Sequence, residues 1–215
     1  LNGKELSYNN IMDLSAAFTM VRDFEEPTVV IIKHGNPCGL ASADTIEEAL
    51  LNAWATDPMS AFGSVIGINR LVTADLADKL GSKEFLEEKV LPKFRAESGL
   101  DVTVLAAFVE AIIAPGYEIN ALDILSRKKN LRIMEQQNFY PKNIEKSLQF
   151  RSVPGGMLVQ RGDFGLVAPK DFQFPTELRP NKAQLESLAF ADKVAKHVKS
   201  NAIVLVQGKT LVGAG

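Results

Sequence analysis

The residue types best suited to chemistry in this chain follow one another at Lys33-His34-Gly35-Asn36-Pro37-Cys38-Gly39. A lysine supplies a fixed positive charge, and the adjacent imidazole can exchange a proton near neutral pH. Together they suit a reaction in which one group accepts a proton while another stabilises a developing negative charge. A Lys-His dipeptide alone would serve equally well on a solvated surface. What favours function is the apolar run before it, Val29-Val30-Ile31-Ile32, which reads as a buried strand over 28–33 opening into a Gly/Pro-rich loop. Rigid strands ending in such loops are where α/β proteins hold reactive groups in place.

The other candidates are weaker. The same loop shares its His and its Pro-Cys with the signature of zinc deaminases, but Asn36 stands where that motif has its acid–base Glu. Cys38 is the chain's single cysteine, so the thiolate pair of that zinc site cannot be assembled and zinc-dependent deamination is set aside. Four residues from His34 in a tight turn, Cys38 reads as a small buried thiol rather than a nucleophile. His197, the only other histidine, is expected to be solvated near a helix C-terminus. Gly155-Gly156 lacks the Gly-Lys-Ser/Thr of a phosphate loop. Glu110 interrupts an apolar run between Val109 and Ala111-Ile112-Ile113-Ala114, and both a solvent-facing role and service to a polar site remain open for it.

Several elements must position these groups. Leu14, Ala17, Phe18 and Val21 recur at helical spacing and predict a helix over about 11–24 before the strand at 28–33. Asp44 with Glu47 resembles a capping box and opens a helix through Leu50, Leu51 and Trp54, ended by Pro58. A second strand is expected over 64–68, a helix over 73–80, and an exposed helix or insertion over 82–99. Further on, the pattern predicts a helix at 101–107, a strand at 109–114, a helix at 118–127 and a strand near 131–134. Five prolines and Gly155-Gly156 mark 136–182 as an irregular linker. Beyond it, Leu185, Leu188, Val194 and Val198 mark a helix, and 202–206 with 210–212 a hairpin. Alternating strands and helices imply an α/β fold with a mixed sheet covered by helices.

A net charge of −2 and a pI near 5.8 argue against a nucleic-acid or anionic-lipid partner. No apolar run approaches the roughly 20 residues needed to span a bilayer, and a single cysteine fits a reducing, cytoplasmic setting. Leu1 in place of Met, and an end at Gly215 just after a strand, make both termini look cut, as in a piece of a longer polypeptide.

Five segments, in order, resemble those of the AICAR transformylase/IMP cyclohydrolase (PurH) family. They are Asn2-Gly3-Lys4-Glu5-Leu6-Ser7-Tyr8-Asn9-Asn10, the Lys33–Gly39 loop, Ser60-Ala61-Phe62-Gly63, Phe108-Val109-Glu110-Ala111-Ile112-Ile113-Ala114-Pro115, and Ser200-Asn201 with Gly213-Ala214-Gly215. The resemblance implies transfer of a formyl group from 10-formyltetrahydrofolate to AICAR in purine (IMP) biosynthesis, in a homodimer and without zinc. It implies cytidine-deaminase-like three-layer units, a first over 1–135 and the start of a second over 183–215, joined by 136–182.

By the same resemblance, Lys33, His34 and Asn201 are catalytic, and Asn36, Gly63 and Glu110 contact AICAR. Family members often carry Asp at the last position. Residues 82–100 look inserted, and the family's Arg-Tyr-Gly and Gln-x-Ser-Arg segments are not in this sequence, so the isolated chain is expected to have little or no activity. The alternative is a noncatalytic nucleotide-binding or dimerisation module of the same fold.

Overall fold

A computed structural model describes residues 1–104, 106–137, 148–163 and 165–215. The first helix, α1 (Tyr8–Val21), starts three residues earlier than its apolar spacing predicts because Ser7 and Asn10 form a reciprocal capping box. Strand β1 (Thr28–Lys33) is the predicted apolar strand. The expected loop after it is instead a second strand, β2 (Asn36–Ser42), paired antiparallel with β1 through a two-residue turn. Asn, Pro and Gly are poor strand formers, and pairing with β1 overrides that local preference.

Helix α2 (Ile46–Thr56) is capped by Thr45, whose hydroxyl accepts from the Glu48 amide, one residue later than the expected Asp44 cap. Strand β3 (Ser64–Ile68) and helix α3 (Ala74–Lys79) follow as expected. Helix α4 (Lys83–Phe85), a π-helical turn over Leu86–Val90 and helix α5 (Leu91–Ser98) run on continuously. Pro92, on entering α5, has no amide to donate to the preceding turn, and the π turn lies where that bond is lost. This stretch is not simply exposed: Leu86, Val90, Leu91 and Phe94 are buried, and Phe85 meets Trp54 of α2 edge to face.

The helix expected at 101–107 does not form at residues 101–104 or 106–107, and position 105 lies outside the described residues. Val102, Val104 and Ala107 instead pack on the core as irregular chain. Strand β4 (Val109–Ala114), helix α6 (Ile119–Ser126) and strand β5 (Arg132–Glu135) complete the first run. Within the expected linker, β6 (Leu148–Val153) and β7 (Gly156–Arg161) form a hairpin exposed along its whole length. Helix α7 (Lys182–Ala195) and the hairpin β8 (Val204–Gln207) and β9 (Thr210–Ala214) close the chain.

The main sheet has seven strands in the order β5-β4-β3-β1-β2-β9-β8. It is mixed: β3, β4 and β5 run parallel, while β1, β2, β9 and β8 pair antiparallel. Successive side chains of β1 point to opposite faces, as a pleated strand requires. Val29 and Ile31 join one core with Trp54, Leu76, Leu91 and Leu125. Val30 and Ile32 join the other with Leu14, Met20, Phe24, Phe190 and Val194. Helices therefore cover both faces, giving the expected three-layer α/β arrangement. The 183–215 segment joins this sheet: β9 pairs with β2, and Phe190 of α7 lies 5.3 Å from Phe24, ring centre to ring centre.

The solvated position expected for His197 is not observed. Its Nε2 lies 2.7 Å from Asp23 Oδ2, and Lys196 Nζ lies 2.5 Å from the same oxygen. All three are largely buried, and together they pin the end of α7 to the end of α1. Burial alone would push the Asp23 carboxyl up, but the hydrogen bonds and charges of His197 and Lys196 outweigh it and hold it below its usual range. A depressed folded-state value makes the carboxylate's contribution fully present above its unfolded value, about pH 4. The contribution is lost as the pH falls through the folded value. Asp23→Asn is expected to cost about 2 kcal/mol near pH 7 and to flatten the acid side of a stability-versus-pH curve measured by urea unfolding.

Ser64 Oγ is the one buried side-chain polar atom without a hydrogen-bond partner among the described residues. A buried hydroxyl left unpaired has lost its water and gained nothing in return. Ser64→Ala is expected to raise stability by about 1 kcal/mol, read as a higher urea midpoint at unchanged slope.

Candidate active site

Lys33 and His34 lie at the tip between β1 and β2, where Lys33 pairs with Asn36 and only His34 and Gly35 remain in the turn. Both turn residues have positive φ, 53° at His34 and 75° at Gly35, the pattern of the tight hairpin turns whose twist matches the flanking strands. Glycine accepts that geometry at no steric cost, whereas histidine does not. A histidine held there is a local outlier of the kind that concentrates at functional sites. Its ring is exposed and makes no hydrogen bond among the described residues.

Lys33 is held tightly. Its ammonium donates to the carbonyls of Phe62 at 2.6 Å and Gly63 at 3.0 Å. An ammonium has three donors, so one N–H is left for a further partner. Gly63 is required at its position: φ is +67°, and a Cβ there would sit 3.2 Å from the Lys33 nitrogen and 3.6 Å from the Phe108 ring. The Gly63 amide in turn donates to the Phe108 carbonyl at 2.7 Å, fastening the loop before β3 to the entry of β4.

Three bulges sit at this end of the sheet. Ile31 pairs with Gly39 but Ile32 with Pro37, leaving Cys38 as an extra residue. Ser64 pairs with Val109 but Val65 with Ala111, leaving Glu110 extra. Leu205 pairs with Gly213 but Val206 with Leu211, leaving Val212 extra. Bulges bend strands and re-aim side chains, and they gather beside active sites.

Glu110 sits in a polar cluster at this bulge. Its carboxylate accepts from Asn10 Nδ2 at 2.9 Å and lies 3.4 Å from Arg132 Nη1, a half-buried polar cluster rather than open solvent. Cys38 is largely buried, and its thiol donates weakly to the Ile31 carbonyl at 3.5 Å. Burial, with the Asp57 charge adding to it, pushes this thiol up to about 12, so it is no thiolate nucleophile near neutral pH.

The structure separates the two members of the Lys-His pair. Lys33 lines a cleft of about 460 Å³ with Asn36, Pro37, Cys38, Asp57 and Ser60. His34 lines another of about 380 Å³ with Asn9, Asp13 and Lys199. Asn201 is exposed and lies just beyond Lys199, which is bonded to the turn: the Lys199 amide donates to Asn36 Oδ1 at 3.3 Å. Lys33, Asn36 and Gly63 are thus brought together directly, with His34 at their edge and Asn201 linked through Lys199. Glu110 stands apart in its own cluster with Asn10 and Arg132. Sequence reasoning missed Lys199, whose partners are more than 160 residues away.

Residues 1–215 match the family described as AICARFT/IMPCHase bienzyme. The bifunctional purine biosynthesis protein PurH of Ruminiclostridium cellulolyticum is 39% identical over 215 residues, covering 100% of this chain and 37% of that protein. The PurH of Acetivibrio thermocellus gives the same identity and coverage. That of Halalkalibacterium halodurans is 42% identical over 217 residues, again across the whole of this chain and 37% of its own length. The chain therefore spans little more than a third of the length of these curated relatives.

Proposed function

Because the chain belongs to the AICARFT/IMPCHase bienzyme family, we propose that it carries part of a formyl-transfer site acting between 10-formyltetrahydrofolate and AICAR. The observation that supports this reading is the turn itself. A histidine is fixed at positive φ beside a lysine pinned by two carbonyls, with the Asn201 loop bonded to the same turn.

The chemistry asks for these groups. The AICAR amine is a poor nucleophile because its ring withdraws electron density. As its nitrogen bonds to the formyl carbon, a neutral His34 ring accepts the amine proton. With the reacting carbon placed over the His34–Gly35 turn, between the two clefts, the formyl oxygen becomes an oxyanion to which the remaining Lys33 N–H and the Asn201 amide donate. Each such donor is worth about 3 kcal/mol in the transition state. Collapse of the adduct breaks the bond to the folate nitrogen, which takes up a proton as tetrahydrofolate leaves. Lys33 serves equally well by donating to that leaving nitrogen. Asn36, Gly63 and Glu110 are assigned to binding AICAR.

The relatives are longer than this chain, so the site is proposed to work within a full-length polypeptide, in a cytoplasmic homodimer, with this chain alone nearly inactive. Release of tetrahydrofolate from 10-formyltetrahydrofolate by the full-length polypeptide, dependent on added AICAR, tests the reading. AICAR-independent release, or none, would count against it.

A further inference from the structure

The His34–Gly35 turn is secured from a segment far away in sequence. Lys199 Nζ donates to the His34 carbonyl at 2.8 Å, and the Lys199 main-chain amide donates to Asn36 Oδ1 at 3.3 Å. One residue therefore grips the turn on both sides of Gly35. The absence of a side chain at Gly35 makes room for it: a Cβ there would lie 3.0 Å from Lys199 Nζ and 3.4 Å from its Cε. Lys199 also borders the His34 cleft, and Ser200 and Asn201 follow it directly.

We propose that Lys199 is a positioning residue that clamps the His34–Gly35 turn and fixes it relative to the loop bearing Asn201. A left-handed histidine backbone is costly when nothing holds it, and a two-residue turn has little structure of its own. The ammonium on the His34 carbonyl supplies a charge-assisted bond that favours this one conformation. The amide on Asn36 sets the spacing between turn and loop. The clamp acts on orientation, so its loss falls on the chemical step more than on substrate affinity.

The kinetic part of this inference rests on the formyl-transfer reading, whereas the structural part does not. The test uses Lys199→Met and Lys199→Arg in the full-length polypeptide. Formyl-transfer kinetics and amide hydrogen exchange of the 33–38 segment are both measured. Lys199→Met is expected to lower kcat at least about tenfold, with KM for AICAR changed less than about threefold. Exchange at 33–38 should quicken by at least about tenfold, and arginine, which keeps a donor for the His34 carbonyl, should restore most of both.

Unchanged exchange in Lys199→Met overturns the clamp. Faster exchange with kcat within about twofold of the parent overturns its positioning role. If the unsubstituted protein transfers no formyl group, the functional reading fails, and the exchange measurement alone decides whether the clamp exists.

Discussion

Replacing His34 with asparagine in the full-length polypeptide is expected to lower formyl transfer by about a hundredfold to ten-thousandfold, the usual range for a lost general base. The fold should not suffer. Asparagine tolerates positive φ far better than most residues, and Asn-Gly is the sequence most favoured in a two-residue hairpin turn. His34 holds φ at 53° ahead of Gly35 at 75°, so the substitution relieves backbone cost while removing the imidazole. The expected result is a protein at least as stable as the parent and nearly inactive. Alanine would confound the two effects, because it loses the base and keeps the unfavourable backbone. Near-normal turnover in His34→Asn would remove His34 from the proton-accepting role.

The second large effect is structural. Gly39 of β2 faces α2 so closely that a Cβ would lie 2.0 Å from the Ala53 carbonyl oxygen and 2.9 Å from its carbon. Both are backbone atoms, so no side chain can swing aside. Gly39→Ala must push α2 off the sheet and open a core that includes Leu50, Ala53 and Trp54. A cost of about 3 kcal/mol or more is expected, at the upper end for overpacking, measured by urea unfolding. Gly39 also pairs with Ile31 beside the Cys38 bulge, so the displacement reaches the Lys33 cleft. A change below about 0.5 kcal/mol would mean that helix and sheet are less closely packed than described.

Much of the frame was legible in the sequence. Apolar β-branched runs gave β1, β3 and β4, and their alternation with helices gave a mixed α/β sheet. Those signals are local and strong, because a strand buried on both faces has to be apolar throughout. The failures share one cause. Strand β2 carries Asn36, Pro37 and Gly39, reads as a loop, and is made a strand only by its partner. The helix predicted at 101–107 is absent from its described residues, where Val102, Val104 and Ala107 pack on the core as irregular chain.

The candidate site divides along the same line. Residue types and pattern singled out Lys33, His34 and Glu110, and family resemblance named Asn201, Asn36 and Gly63 and gave Glu110 its role. No local pattern announces that Glu110 sits on a bulge, because a bulge is a property of register between two strands. Nor does sequence show Asp23 gripping His197, 174 residues away, or Lys199 gripping the turn.

The most direct test of the central claim is formylated AICAR formed from 10-formyltetrahydrofolate, measured side by side for this 215-residue chain and for the full-length polypeptide that carries it. The account predicts product from the full-length protein, cut at least about a hundredfold by loss of His34 or Lys33, and little or none from the chain alone. No product from the full-length protein, with AICAR still bound, would contradict formyl transfer and leave a noncatalytic nucleotide-binding module of the same fold.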